Sequence, residues 1–271
     1  MILADYHMHS SFSSDSESSM EEMIKSAADK GLKYICFTEH QDHGYPKNTD
    51  YKDGDFSLNI DSYLYDLLCM REKYGNSIQI GFGIELGMQE QFLRETNITA
   101  ASQMFDFIIG SIHVVNGIDT YYPEFFEGKS DKEAIEEFFA AEIANIKKFK
   151  NFDVLGHMNY IVRTVPGGEA SYKYSDFSDY IDEILKYLIE NGKGIEVNTS
   201  ALYKGFAQPN PDFDTIRRYK ELGGEIITIG SDAHSPEAVA ASFDKAEKLL
   251  KDAGFKYYGV FTRRSCEFER L

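Results

Sequence analysis

The chain repeats one pattern seven times: a short apolar run, a polar loop, and a longer stretch with apolar residues every three or four positions. Apolar runs predict buried strands, and the longer stretches predict amphipathic helices. The predicted strands are Ile2–Tyr6, Tyr34–Thr38, Ile78–Ile84, Phe105–Ile112, Phe152–Leu155, Gly194–Val197 and Ile226–Ile229. The predicted helices lie near 19–30, 59–74, 90–102, 130–150, 176–191, 212–222 and 236–252.

Regular alternation of strands and helices predicts an α/β fold with a parallel sheet. Glycines mark the predicted helix ends, and a last apolar run, Tyr257–Phe261, could close or cap the sheet. A length of 271 residues suits one α/β barrel, so we expect residues 1–271 to form a single domain.

Three connections are long, at residues 41–58, 114–129 and 158–175, and each follows a predicted strand. Long ordered loops at strand ends are typical of functional regions. The first contains four acidic and three aromatic residues: Asp42, Asp50, Asp53, Asp55, Tyr45, Tyr51 and Phe56. It is interpreted either as a solvated loop with a few packed rings or as a lid over a cationic, ring-bearing substrate.

Six of the seven histidines, together with two acidic residues, fall where a predicted strand ends. These residues are His7, His9, His40, Glu85, His113, His157, Asp232 and His234. The carboxyl ends of parallel barrel strands meet on one face, so the eight side chains are expected to converge. A pair such as His7 and His9 points to the same side of an extended strand.

Neutral imidazoles and carboxylates together suit zinc, iron or manganese. A carboxylate such as Glu85 or Asp232 could bridge two metals, and paired metals can activate a water and hold a phosphoryl group. The sequence therefore predicts a metal cluster with Glu85 and Asp232 as catalytic carboxylates. Asp15, in a serine-rich loop, is either a helix cap, a solvated carboxylate or a further ligand.

These motifs resemble, in order, those of the PHP (polymerase and histidinol phosphatase) superfamily, and within it the monofunctional histidinol-phosphate phosphatases of histidine biosynthesis. The motifs are His7-Met8-His9, Thr38-Glu39-His40, Gly83-Ile84-Glu85, Ser111-Ile112-His113, Gly156-His157 and Ser231-Asp232-Ala233-His234. The resemblance implies a distorted (β/α)7 TIM-like barrel with a trinuclear site of two to three divalent transition metals.

The resemblance also implies how the ligands are divided. One metal would take His7, His9, Glu85 and Asp232, and a second would share Glu85 and take His113 and His157. A third would take Asp15, His40 and His234. Some family members have histidine at the position of Asp15, so the third metal site is where this chain departs from them.

Three cationic or titratable residues near these motifs are candidates for substrate contacts. Arg163 and Lys204 lie in loops on the predicted active face and could bind phosphate. His43 follows His40 closely, and we hypothesise that it protonates the leaving alcohol or contacts the substrate. Arg263 and Arg264 follow no barrel strand into the site and are predicted to be solvated.

Composition narrows the possible partners. A formal net charge of −17 disfavours nucleic acid and anionic membranes, and it requires a phosphate site to create its own positive potential. The N-terminus lacks the features of a signal peptide, and Cys36, Cys69 and Cys266 are expected to be reduced thiols. Both features favour a cytoplasmic protein.

The sequence thus predicts a metal-dependent phosphomonoesterase, and the resemblance implies that L-histidinol phosphate is its small-molecule substrate. Two alternatives stay open. One is a phosphoesterase of the same superfamily that acts on phosphotyrosine peptides or nucleotides. The other is a metal-binding regulatory or storage protein without catalytic activity.

Overall fold

The computed structural model describes residues 1–46 and 56–271, and its centre is a sheet of seven parallel strands. The strands in chain order are β1 (Ala4–Met8), β2 (Tyr34–Asp42), β3 (Gln79–Gly87), β4 (Phe107–Ser111), β5 (Val114–Val115), β6 (Ile118–Asp119), β7 (Val154–Leu155), β8 (Gly194–Asn198), β9 (Ile227–Gly230), β10 (Tyr257–Thr262) and β11 (Ser265–Arg270). The parallel sheet has the order β1-β2-β3-β4-β7-β8-β9.

Helices pack outside this sheet, as the sequence periodicity predicted. They are α1 (Met20–Asp29), α2 (Ile60–Tyr74), α3 (Leu93–Ser102), α4 (Asp131–Lys148), α5 (Tyr174–Glu190), α6 (Ser200–Tyr203), α7 (Phe213–Glu221) and α8 (Phe243–Asp252). Capping boxes start α1 at Ser19 and α4 at Ser130, which fixes where these helices begin. In the described part of the chain, none of the helices is both long and apolar enough to cross a membrane.

The two edges of the sheet meet, so the sheet closes into a nearly complete barrel. The amide of Asp232 donates to the His7 carbonyl at 2.8 Å, and the amide of His9 donates to the Ala233 carbonyl at 2.9 Å. Met8 and Ala233 form a parallel bridge at this seam. The predicted distorted (β/α)7 barrel is therefore confirmed, and its seam lies directly beside the candidate metal ligands.

The end of the barrel that carries the amino ends of the strands is filled by aromatic side chains. Phe107 and Phe261 have ring centroids 4.8 Å apart, and Tyr6 donates a hydrogen bond to the Phe261 carbonyl. Phe261 belongs to β10, which pairs with β11 in an antiparallel hairpin. The run Tyr257–Phe261 therefore covers the barrel end, as predicted, while its partner strand β11 was not predicted.

Arg264 corrects the prediction that Arg263 and Arg264 are both solvated. Arg264 connects β10 and β11, and its Nε donates to Asp153 Oδ2 at 2.5 Å. The same Asp153 oxygen accepts from the Ile108 amide at 2.8 Å, so Arg264 ties the hairpin to the barrel. Arg263 is exposed.

The ends of several elements differ from the sequence prediction. Strand β2 continues to Asp42, whereas the apolar run predicted an end at Thr38. α8 starts at Phe243, and a 3₁₀ turn at Pro236–Ala238 occupies the predicted start of that helix. The glycine after α2, Gly75, keeps a right-handed conformation with φ −61°, so it ends the helix without a left-handed turn.

Candidate metal centre

All nine predicted ligands lie together at the carboxyl ends of the barrel strands. This is the face on which parallel barrels carry their functional groups. The side chains come from β1 and its following loop (His7, His9, Asp15), β2 (His40), β3 (Glu85), and the residues after β4 (His113), β7 (His157) and β9 (Asp232, His234). The parallel register pairs His40 with Glu85 on neighbouring strands, which places these two side chains next to each other.

Glu85 lies at the centre of this cluster and is fully buried. Its Oε1 lies 2.9 Å from His157 Nε2 and 3.3 Å from His113 Nε2. Its Oε2 lies 3.2 Å from His7 Nε2 and 3.0 Å from His40 Nδ1. Because each oxygen faces a different set of rings, the carboxylate has the geometry expected of a bridge between two cations.

Two further carboxylates, those of Asp232 and Asp15, each lie near two histidine rings. Asp232 Oδ1 lies 3.7 Å from His7 Nε2 and 3.6 Å from His9 Nε2. Asp15 Oδ2 lies 3.1 Å from His234 Nε2 and 3.5 Å from His40 Nε2. Asp15 is therefore part of the cluster, and a role as a helix cap is excluded because Ser19 caps the following helix.

Outer contacts orient several of the imidazole rings. Four rings have Nδ1 beside an acceptor: His7 beside Glu196 Oε1 at 2.6 Å, His113 beside Asp42 Oδ1 at 2.8 Å, His9 beside Ser13 Oγ at 3.0 Å and His234 beside the Asp232 carbonyl at 2.9 Å. Carboxylate and carbonyl oxygens can only accept, so these rings carry a proton on Nδ1. The Ser13 hydroxyl donates to Glu39 at 2.6 Å, which leaves its oxygen to accept from His9. In the neutral form of these rings, Nε2 is therefore a lone-pair donor.

The Nε2 lone pairs of these neutral rings lie close to one another and to carboxylate oxygens, an arrangement that a bound cation would stabilise. His7 Nε2 and His9 Nε2 are 3.1 Å apart, and neither carries a proton in the neutral form. Buried Asp15 Oδ1 has no hydrogen-bond partner among the described residues. Four overlapping groups of histidine and carboxylate atoms have the spacing of metal ligands. The donor set therefore fits divalent transition metals, which would replace protons in this cluster.

Electrostatics in the absence of metal agree with this interpretation. Burial disfavours a charged His7, but Glu196 and Glu85 outweigh burial and raise the pKa of the ring well above its usual value. Burial also opposes ionisation of Glu85, yet the neighbouring His7 and His40 hold its pKa well below the usual range. Without metal, the surrounding carboxylates thus favour a protonated His7, and metal binding at this ring would displace such a proton.

Glu196 is a functional residue that the sequence reasoning missed. It is buried in β8, and its Oε2 accepts from the His157 amide at 2.9 Å while Oε1 accepts from His7. A side chain at Gly230 would place its Cβ 2.3 Å from Glu196 Oε1, so glycine is needed where β9 approaches this carboxylate. The available signal was a single acidic residue inside the apolar run Gly194–Val197.

Arg163 lies in a 3₁₀ turn after His157 and reaches the edge of the metal-ligand cluster. Its guanidinium is 3.5 Å from Asp232 Oδ2 and lies over the Tyr160 ring, 5.1 Å from the centroid. Lys204 is exposed at the end of α6, and both cations line the cavity that opens above the cluster. The predicted phosphate contacts are thus placed beside the predicted metal ligands.

His43 is not brought into this cavity. Its Nε2 lies 2.9 Å from Thr99 Oγ1 on α3, and the ring is absent from the described residues that line the cavity wall. The hypothesis that His43 protonates the leaving group therefore has no geometric support. Asp42, which belongs to the same segment, instead faces the cluster through His113.

The cavity above the cluster has a volume of about 280 Å³ and an acidic, aromatic outer wall. Tyr45, Tyr121 and Tyr160 contribute rings, and Asp119 accepts hydrogen bonds from the Tyr45 hydroxyl and the Tyr121 amide. Phe56 is buried in this wall, so the described part of the 41–58 connection is not simply solvated. The other lid candidates, Asp50, Tyr51, Asp53 and Asp55, lie outside the described residues.

A closed parallel barrel with a histidine and carboxylate cluster at its strand ends defines a class of metal-centred barrel proteins. Comparison with known families makes this more specific, because the PHP domain model matches residues 5–200. The chain therefore belongs to the PHP domain family.

Similarity to individual proteins extends over nearly the whole chain. A histidinol-phosphatase of Lactococcus lactis is 34% identical over 262 residues, covering 95% of this chain and 94% of that protein. A probable histidinol-phosphatase of Clostridium acetobutylicum is 34% identical, covering 94% of this chain and 95% of the relative. The crystal structure of the Lactococcus lactis histidinol phosphate phosphatase, complexed with Zn, L-histidinol and phosphate, superimposes with a TM-score of 0.88. It is 33% identical and covers 97% of this chain and 98% of its own.

Proposed function

We propose that this protein is a metal-dependent phosphomonoesterase that hydrolyses L-histidinol phosphate to L-histidinol and phosphate in histidine biosynthesis. The observation that carries the proposal is Glu85, whose two carboxylate oxygens face four different histidines next to a cavity that contains Arg163. The relative solved with Zn, L-histidinol and phosphate supports it, because this chain is similar to that protein over almost its full length.

Two to three divalent metals, Zn, Fe or Mn, would be held by His7, His9, Asp15, His40, Glu85, His113, His157, Asp232 and His234. Bound there, they would supply Lewis acidity and a nucleophilic hydroxide at neutral pH. Arg163 and Lys204, which line the same cavity, would contact the phosphoryl oxygens and stabilise the charge that develops on them. Glu85 and Asp232 would act by binding the metals at a fixed position relative to Arg163 and Lys204.

The outer wall of the cavity suits the cationic, ring-bearing part of L-histidinol phosphate. Asp119 is buried in that wall, where burial raises the pKa of its carboxyl group and hydrogen bonds from Tyr45 and Tyr121 oppose this. Tyr45, Tyr121 and Tyr160 provide flat surfaces for an imidazole ring. An acidic residue among aromatic rings favours an amine or imidazolium over a nucleotide or a phosphotyrosine peptide.

A phosphate-release screen tests the proposal directly. Metal-loaded protein would be assayed with L-histidinol phosphate, phosphotyrosine, AMP and p-nitrophenyl phosphate, with elemental analysis of the same preparation. We expect two to three metals per chain and a kcat/KM for L-histidinol phosphate at least about a hundredfold above the others. Metal binding without release of phosphate would instead support a storage or regulatory protein, and a preference for another ester would change the substrate.

A variant of the outer wall separates substrate recognition from hydrolysis. Asp119→Asn is expected to lower kcat/KM for L-histidinol phosphate by about tenfold, with little effect on p-nitrophenyl phosphate, which has no cationic group. Equal effects on both substrates would show that Asp119 does not recognise the cation. We assign this biosynthetic activity to the cytoplasm, which is consistent with three cysteines present as free thiols.

A further inference from the structure

Arg163 is held mainly by two asparagine side chains, and its only carboxylate contact among the described residues is a long one, from Nη1 to Asp232 Oδ2 at 3.5 Å. Its Nε donates to Asn210 Oδ1 at 2.5 Å, and its Nη2 donates to Asn198 Oδ1 at 2.8 Å. The arginine side chain is 7% exposed, so these contacts form in a largely dry environment. The two short hydrogen bonds that fix the guanidinium are therefore both made to neutral oxygen atoms.

The orientation of the Asn210 amide is determined by its other contacts. Its Nδ2 donates to the Asn159 carbonyl at 3.1 Å and to Asn159 Oδ1 at 2.6 Å. Both partners are acceptors, so the amide nitrogen must face Asn159 and the amide oxygen must face Arg163. A flipped amide would place an N–H group against the guanidinium.

The backbone holds the two asparagines together. The Asn198 amide donates to the Asn210 carbonyl at 2.8 Å, and the Asn210 amide donates back to the Asn198 carbonyl at 3.0 Å. Asn198 ends strand β8, so this reciprocal pair ties the loop that carries Asn210 to the barrel. Asn210 is buried and is not among the described residues lining the metal-ligand cavity, so its effect on a substrate there must pass through Arg163.

A neutral partner matters because the cluster around Arg163 is already acidic. A carboxylate at position 210 would pair with the guanidinium and reduce the positive potential that it offers to a phosphoryl group. An amide oxygen orients the same N–H group without cancelling its charge. Arg163 thereby gains a fixed direction without a second carboxylate partner beside Asp232, in a chain with a net charge of −17.

We propose that Asn210 is a positioning residue that fixes Arg163 for phosphate binding without adding a negative charge beside the guanidinium. This rests on the proposed function, since it takes the phosphoryl group as the ligand of Arg163. The role predicts that changes at Asn210 weaken phosphate affinity selectively. The affinity for the alcohol part of the substrate should stay as it is.

The test compares Asn210→Asp and Asn210→Ala with the wild-type enzyme, all loaded with metal. For Asn210→Asp we expect KM for L-histidinol phosphate and the inhibition constant of inorganic phosphate to rise about tenfold, with kcat changed less than about threefold. Asn210→Ala removes the acceptor without adding charge, so the same two constants should rise less, by about threefold. Inhibition by L-histidinol, which has no phosphoryl group, should be unchanged in both variants.

A matched control exists at the opposite end of the barrel. Asn151 Oδ1 accepts from Arg264 Nη1 at 3.2 Å, so Asn151→Asp makes the same change beside another arginine. We expect it to leave KM and phosphate inhibition as in the wild type. Unchanged phosphate inhibition in both Asn210 variants would overturn the proposal, as would equal losses of affinity for phosphate and L-histidinol or a loss of bound metal.

Failure of the proposed function can be told apart from failure of this proposal. If wild-type protein releases no phosphate from L-histidinol phosphate, the proposed function fails. Calorimetric titration of the metal-loaded proteins with inorganic phosphate still compares Asn210→Asp with wild type. If the wild type is active and the variants bind phosphate equally well, only the positioning role is wrong.

Discussion

Replacing Glu196 by glutamine should weaken metal binding although Glu196 is not itself a predicted ligand. Its two oxygens accept from three donors, His7 Nδ1 at 2.6 Å, the His157 amide at 2.9 Å and Asn198 Nδ2 at 3.3 Å. A glutamine has only one carbonyl oxygen, so its NH₂ group would face one of these donors in either orientation. His7 would then lose its fixed tautomer, or His157 would lose its backbone contact.

The size of the effect follows from how such outer contacts act on ligands. Removing the partner of a metal-binding histidine typically weakens metal affinity about 10- to 100-fold, which corresponds to about 1.4–2.7 kcal/mol. We expect a loss in this range for Glu196→Gln. The measurement is zinc titration of metal-free protein in competition with a chromophoric chelator, followed by phosphate release at saturating metal.

A second buried glutamate provides the control for this experiment. Glu142 in α4 is buried, and its Oε2 has no hydrogen-bond partner among the described residues. Glu142→Gln makes the same chemical change without touching an imidazole, so zinc affinity should stay at the wild-type value. Zinc affinity of Glu196→Gln within about twofold of wild type would refute the argument that Glu196 sets the tautomer of His7.

Three further outcomes follow from the structure. Arg163→Met should lower kcat/KM for L-histidinol phosphate about 10- to 100-fold, mainly through KM, and unchanged steady-state kinetics would return Arg163 to a structural role. His43→Asn should leave the ratio of kcat values for alkyl and p-nitrophenyl phosphates unchanged, because the ring faces Thr99; a selective loss on the alkyl ester would restore leaving-group protonation. Burial raises the pKa of Glu142 above its ordinary value of 4.5, so the contribution of this group to the free energy of unfolding is fully present below pH 4.5 and declines as pH rises through the raised pKa. In Glu142→Gln this decline, followed by chemical denaturation at several pH values, should be smaller, and an identical pH profile would contradict it.

The barrel was predictable because its signals are local. Each strand is an apolar run and each helix has a continuous apolar face, as in α5, where Ile181, Ile184, Leu185 and Leu188 are all buried. Eight of the nine metal-ligand candidates were also accessible, since each lies at the end of such a run, whereas Asp15 lies in a serine-rich loop and was assigned as a ligand from the family resemblance. Strand β11 was missed because its sequence, Ser265–Arg270, is mostly exposed and has no apolar run.

His43 and Asp42 show the effect of ending the second predicted strand too early. The predicted strand ended at Thr38, so the residues after His40 were assigned to a loop with no defined direction. Strand β2 continues to Asp42. Side chains on a strand alternate, so His40 and Asp42 point to the same face, and Asp42 meets His113. The position of His43 just beyond the strand gave it no comparable direction toward the site.

Contacts between distant segments were inaccessible for a different reason. Arg163 and Asn210 lie in separate loops, and neither loop has a periodicity that fixes its path. The reciprocal backbone pair between Asn198 and Asn210 exists only after β8 is in place. The sequence could therefore indicate Arg163 as a phosphate-binding residue, but only the structure shows the asparagine side chains that orient it.

The acidity of the chain and its proposed action on a phosphate ester are compatible because the charge is locally reversed. Among the nine proposed ligands only Asp15, Glu85 and Asp232 are carboxylates, and the rest are neutral rings when metal is bound. The two to three proposed divalent cations would bring four to six positive charges against these three negative ones, so the metals and their ligands together would be positive although the chain has a net charge of −17. Arg163 adds to this field because its two short hydrogen bonds are made to amide oxygens. The acidic wall around Asp119 lies beyond the cations, where it would attract the opposite, cationic end of the substrate. A substrate with an anionic phosphoryl group and a cationic ring therefore has one orientation in this cavity that satisfies both charges.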